Sequence, residues 1–175
     1  MNITRERKTI DDVLNNYRAQ LDTIPDELFT ETPPDGGWSY AEVYSHIMQA
    51  TLASLVALER CTQRVGDVNT KGLNLIGRFV LFFERFPPVK IKVPRKVDEK
   101  FPAVKISKEE ARNLIVKCRM RIDDMMLHIK ESAPNACTKH PRLGMLNAAQ
   151  WLKFTRIHLE HHLKQLDRIR KKISY

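Results

Sequence analysis

The sequence predicts an all-α fold: a four-helix bundle with a long crossover insertion between its second and third main helices. Three observations carry this expectation. Four long stretches repeat apolar residues at the 3.6-residue helical period. Three of them open on a reciprocal capping pattern. One long stretch, 66–107, breaks the period and is rich in proline and basic residues. At 175 residues the chain is the size of a single domain, 1–175, with enough residues for a real core.

The first helix is expected over 3–24, with Ile10, Val13, Leu14, Tyr17 and Leu21 as its apolar stripe. Pro25 and the Pro-Pro-Asp-Gly-Gly run at 33–37 end it in a loop. Ser39 and Glu42 then form an S-x-x-E capping box, and Trp38 sits where a hydrophobic staple would. The second main helix should run over about 40–65. A short apolar helix fits 71–86. The segment after it holds four of the nine prolines and is too long for a simple helical hairpin, so it can return the chain across the bundle. The second and third main helices would then run parallel. Ser107 and Glu110 open the third, with Ala111, Leu114, Ile115, Cys118, Ile122, Met125 and Ile129 inward. A loop from Pro134 leads to the last helix. That helix is capped by Asn147 with Gln150, and carries Leu152, Thr155, Leu159, Leu163, Leu166 and Ile173 on one face.

The last helix carries three histidines. His162 falls within roughly 30° of the apolar centre and His158 within roughly 70°, while His161 lies roughly 130° away. His158 and His162 are therefore an inward i, i+4 pair, a spacing that lets two imidazoles meet one ion. The same pair also fits two core-edge histidines, each bonded to a carbonyl or a water. A third inward ligand would decide between these readings. His46 on the second helix shares a lane with Ala50, Ala53 and Ala57, where small side chains leave room for a ring. Alone it reads as a core histidine; with His158 and His162 it supplies the missing third ligand.

The ordered set Trp38, Ser39, Glu42 and His46, then His140, Pro141 and Gly144, then His158, His162 and Gln165 resembles the DinB/YfiT-like metalloenzyme superfamily. The resemblance spans nearly the whole chain in helix order and spacing. It implies a divalent metal held by His46, His158 and His162, with zinc or nickel the expected ions. It implies an enzyme acting on a small-molecule substrate, either a hydrolase or a transferase using a low-molecular-weight thiol, with no catalytic residue yet assignable. It also implies a homodimer, which Leu52, Leu55 and Val56 permit by being apolar on more than one side of their helix. A non-catalytic, dimeric metal-binding or interaction module remains the alternative.

Three imidazoles leave an open coordination position, as catalytic sites do. The spacing is not that of a zincin, because Glu160 follows His158 by two residues and points away from the trio, as a surface residue would. His140 is either a neighbour of the open side or a turn residue before Pro141. Gln165 orients a ligand, lines the pocket or lies on the surface. Cys61 and Cys118 fit apolar core positions.

Thirty basic against 21 acidic residues give a net charge of +9. Arg85, Lys90, Lys92, Arg95, Lys96, Lys100 and Lys105 lie in the crossover, and Arg168, Arg170, Lys171 and Lys172 end the last helix. Acidic residues are spread among them and no aromatic residues interleave to stack bases, so nucleic acid is not an expected partner. Cations in a last helical turn complement the dipole without any partner. The N-terminus lacks an apolar signal region and the most apolar run is too short to span a bilayer, so no membrane partner is expected. Three scattered cysteines point to a reducing compartment. The expected location is the cytoplasm.

Overall fold

The computed structural model describes residues 2–63, 67–68, 72–87 and 102–173. Its elements in order are α1 (Ile3–Thr23), α2 (Asp26–Phe29), α3 (Tyr40–Thr62), β1 (Asp67–Val68), α4 (Leu75–Phe83), α5 (Lys108–Glu131), β2 (Ala136–His140), β3 (Gly144–Asn147) and α6 (Ala148–Ile173). The long helices α1, α3, α5 and α6 form the bundle. Of the crossover cations, Lys90, Lys92, Arg95, Lys96 and Lys100 lie outside the described residues.

Local chemistry sets the helix starts. Ser39 and Ser107 each accept the N–H three residues on, and Glu42 and Glu110 return the bond to the cap backbone. Asn147 and Gln150 make the same exchange at the start of α6, at 3.0 and 2.9 Å. Each cap satisfies helix-end N–H groups that would otherwise need water, and fixes the register from which the buried stripe is counted. The expected stripe of α1 is buried in full.

Side-chain pairs fix the helix directions. Arg7 pairs with Asp123 at 2.6 Å and Arg112 with Asp22 at 2.9 Å, so α1 and α5 are antiparallel. Glu6 meets Arg156 at 2.6 Å and Gln20 meets Asp167 at 3.2 Å, so α1 and α6 are parallel. His46, early in α3, stands beside His162, late in α6, while Cys61 at the far end of α3 reaches the Leu146 carbonyl just before α6. Thus α3 is antiparallel to α6 and parallel to α5, the arrangement that the long crossover was expected to produce. Each of α1 and α3 packs against both α5 and α6, so the first and second main helices sit diagonally, as do the third and fourth.

Two local expectations are corrected. The segment from Pro134 to the last helix is not a plain loop: β2 and β3 pair antiparallel from Cys137↔Asn147 to His140↔Gly144, and β1 adds a third strand. The Pro-x-x-Gly turn closes this hairpin, with Gly144 at φ +90°. In addition α3 ends at Thr62, earlier than the apolar period suggested.

The hairpin is a structural joint. Thr138 Oγ1 accepts the indole N–H of Trp151 at 2.7 Å and donates to the Ala57 carbonyl at 3.0 Å, tying the sheet to α6 and α3. At the turn, the Leu143 carbonyl accepts from Asn74 N–H and the Gly72 carbonyl from Met145 N–H, both at 3.0 Å. Asn74 Nδ2 adds a bond to the Arg142 carbonyl at 2.8 Å. Gly77 then packs so tightly that a Cβ there would lie 2.2 Å from the Leu143 oxygen. These bonds seat α4, and the seat of α4 places Phe86 against the last helix.

Candidate metal centre

His46, His158 and His162 converge. One ring nitrogen from each lies within 4.8 Å of the other two. The ring centroids of His46 and His162 are 4.9 Å apart, those of His158 and His162 4.8 Å, and those of His46 and His158 5.9 Å. The three arrive from two antiparallel helices: a lane of small residues on α3 presents His46, and one turn of α6 separates the other two. Nε2 of His158 and Nε2 of His162 are 3.1 Å apart. Tetrahedral ligation with bonds of about 2.0–2.1 Å holds ligand nitrogens roughly 3.3–3.4 Å apart, so this pair already stands near ligand spacing.

Gln165, on the same helix, decides which nitrogen of His162 faces the cluster. Its Oε1 accepts a hydrogen bond from His162 Nδ1 at 2.8 Å. With the ring proton held there, the lone pair belongs to Nε2 and points at the other rings. This contact favours the orienting role among those open to Gln165. Burial and the neighbouring rings push His162 down to about 3, and hold His158 well below the usual histidine range by the same causes. Both are neutral near pH 7, the form in which imidazole binds a metal. His162 is only 8% exposed, while His46 and His158 are half-buried.

Aromatic rings wall the cluster. Trp38 lies 4.8 Å from His46 and stacks parallel to His162 at 6.5 Å. Phe154 stacks on His158 at 5.3 Å, and Phe86 sits edge-on to His158 at 5.9 Å and to His161 at 4.9 Å. Trp38, expected as a hydrophobic staple, instead packs its ring against two of the histidines. Phe154 precedes His158 by one turn of the same helix, so the i, i+4 spacing was the available signal for it, whereas Phe86 carried none, because its proximity depends on how α4 docks.

His140 is in the turn and not in the cluster. Its Nδ1 accepts the N–H groups of Arg142 and Leu143 at 3.1 and 3.2 Å, and its ring packs on Phe154 and Trp151. Burial, with Arg142 nearby, pushes it down to about 4. Glu160 does point away from the trio, but it is half-buried. It joins Glu6 and Glu84 around the guanidinium of Arg156, at 2.9, 2.6 and 2.6 Å. Arg156 is the functional-looking residue that sequence reading passed over: it is 6% exposed on the far side of α6 and ties α1 and the end of α4 to that helix. Cys61, Cys118 and Cys137 are all buried free thiols, with Cys118 pushed up to about 12 by burial. Among the described residues, no cysteine or carboxylate joins the three histidines.

The fold and the cluster define a class: a four-helix bundle with parallel second and third main helices, in which α3 and α6 bring three imidazoles together. The sequence profile of the DinB superfamily matches residues 9–166, and the chain belongs to that superfamily. Solved structures share the fold. YfiT from Bacillus subtilis, described as a probable metal-dependent hydrolase with an unusual four-helix bundle topology, superposes with a TM-score of 0.64 at 11% identity, over 99% of this chain and 88% of its own. TT2238, a four-helix bundle protein, gives 0.61 at 17% identity, over 95% of this chain and 99% of its own. A mycothiol-dependent maleylpyruvate isomerase gives 0.61 at 13% identity, over 95% of this chain and 61% of its own. No curated protein matches the chain in sequence.

Proposed function

We propose that this protein is a divalent-metal enzyme acting on a small molecule, with His46, His158 and His162 as the ligands and zinc or nickel as the ion. The observation that carries the reading is the convergence of three imidazoles, one with its ring proton already committed to Gln165. A divalent ion bound there supplies Lewis-acid chemistry, lowering the pKa of a water or thiol in the open position.

The chain's own residues do the rest. The ligand set carries no charge, so nothing in it offsets a divalent ion, and an anionic group is the favoured occupant of the open position. Trp38, Phe86 and Phe154 exclude water from the flanks and offer apolar faces to the substrate. Glu160 is held by Arg156 on the other side of α6 and takes no part in proton transfer. Activation of the nucleophile therefore rests with the ion rather than with a carboxylate base. Hydrolysis and thiol addition both follow from such a site. The descriptions of YfiT as a probable hydrolase and of the maleylpyruvate isomerase as mycothiol-dependent support keeping both.

Elemental analysis of the purified protein beside a His158→Ala, His162→Ala variant tests the reading. About one equivalent of metal in the parent and little in the variant is expected, with activity screens on ester, amide and thiol substrates using that ion. A parent that takes up no zinc or nickel on reconstitution overturns the proposal.

A further inference from the structure

The geometry points to α4 as a surface on which this protein docks to anionic lipid bilayers, and we propose that this helix inserts its outer face among lipid headgroups. A nine-residue helix at the surface of a bundle normally shows one apolar and one polar side. In α4, Gly77, Val80 and Leu81 form the buried side. The opposite side is also apolar. Leu75 and Phe82 are 82% and 79% exposed, Phe83 50% and Ile76 39%. At about 100° per residue, Leu75 and Phe82 fall within roughly 20° of each other, facing directly away from the buried side. Phe83 packs on both Phe79 and Phe82, at 4.7 and 5.0 Å, so the exposed rings form one cluster.

Charge selects the partner. Arg78 and Arg85 are exposed on the helix and just after it, and Arg85 lies over the Phe83 ring at 5.9 Å. Glu84, the one acidic residue between them, has its carboxylate taken by Lys153 and Arg156 at 2.7 and 2.6 Å. The sequence that follows is basic in balance, with Lys90, Lys92, Arg95, Lys96 and Lys100 against Asp98 and Glu99, on a chain of net charge +9. Bulky apolar side chains presented together with exposed Arg78 and Arg85 match an interface of acyl chains beneath anionic headgroups. A nucleic acid fits less well, because the most exposed side chains of the face, Leu75 and Phe82, are bulky and apolar and offer a base edge no hydrogen-bonding group. The expectation of no membrane partner came from a search for a spanning segment; no helix among the described residues is long and apolar enough to cross a bilayer, and α4 has no need to cross one. Rigid attachment suits this role. Gly77 against the Leu143 carbonyl and Asn74 at the hairpin turn hold the helix so that its outer face is presented whole.

The test is flotation of the full-length protein with vesicles of phosphatidylcholine alone or with 30% phosphatidylglycerol, beside a Leu75→Ser, Phe82→Ser variant. Both positions are solvent-exposed, so the variant should keep the parent's melting temperature and metal content. The parent should bind the anionic vesicles and not the neutral ones. Binding should fall on the order of 10–100-fold in the variant, from the lost apolar insertion, and should weaken as salt is raised. Absence of parent binding to anionic vesicles, or equal binding by the variant, overturns the proposal. So does a variant that leaves vesicle binding intact while converting a dimer to a monomer in sedimentation, which assigns the face to a second copy. Loss of duplex DNA binding in the variant without any vesicle binding assigns it to nucleic acid, and overturns it as well.

Discussion

Replacing Gln165 by leucine removes the acceptor of the His162 Nδ1 proton while keeping the volume close. His162 is 8% exposed and its Nδ1 bond to Gln165 is 2.8 Å long. A buried donor left without its acceptor costs about 1–3 kcal/mol. The ring can relieve that cost by moving its proton to Nε2 or by rotating, and either change withdraws the lone pair from the cluster. The loss therefore falls on metal affinity. At about 1.4 kcal/mol per tenfold, it corresponds to a roughly 5- to 150-fold weaker Kd, in line with the effect of residues that orient metal-binding histidines. Competition with a chromophoric chelator at pH 7.5 measures it, for zinc and nickel in turn. Gln165→Glu restores an acceptor and adds a charge, so its affinity should equal or exceed the parent's. The reasoning fails if the leucine variant binds within twofold of the parent, or if the glutamate variant loses as much as the leucine one.

Three further outcomes are expected. Arg156→Met should destabilise the fold by about 1–3 kcal/mol in urea titrations, because it strands the half-buried Glu6 carboxylate against α6; Glu6→Gln in the same background should recover part of the loss. Gly77→Ala, a change that raises helix propensity, should instead lower stability by about 1–3 kcal/mol, because its Cβ meets the Leu143 carbonyl. Stability of the metal-free protein should fall as pH drops from about 6.5 to about 4, since His140 is pushed down to about 4 in the fold and the unfolded chain takes up the proton first. His140 contributes fully above that window, by roughly 3 kcal/mol at most. A His140→Asn variant, which keeps an acceptor for the turn, should show a shallower pH slope than the parent by up to one proton.

What the sequence decided, it decided through local chemistry. Capping pairs at Ser39, Ser107 and Asn147 and the apolar stripes counted from them depend only on residues a few positions apart, and they placed the long helices correctly. The same periodicity sorted His158 and His162 inward and His161 outward, and the alanine lane of α3 marked His46 as able to approach another helix. The resemblance in motif order added the expectation that the three belong together. The long proline-rich connection was enough to expect parallel second and third main helices.

Tertiary structure decided what depends on distant partners. The β2–β3 hairpin was missed because its strands are four or five residues long and its stability comes from β1, Ala57 and Trp151, none of which is visible in the local pattern. The Pro-x-x-Gly turn with Gly144 was the available signal. Arg156 reads as a solvated cation by type, and becomes a buried tie only when Glu6, 150 residues earlier, lies against α6. Gln165 and His140 each carried more than one possible role in sequence. Only the fold shows where each ring nitrogen is directed: Nδ1 of His162 toward Gln165, and Nδ1 of His140 toward its own turn. The walls of the site came last, since Trp38 precedes its helix and Phe86 follows one, and helical periodicity says nothing of side chains beyond a helix end. Leu55, counted among outward apolar positions of α3, is 1% exposed because α3 packs against both α5 and α6. Periodicity fixes which face of a helix is apolar. Only the packing of the other helices fixes how much of that face is left for anything else.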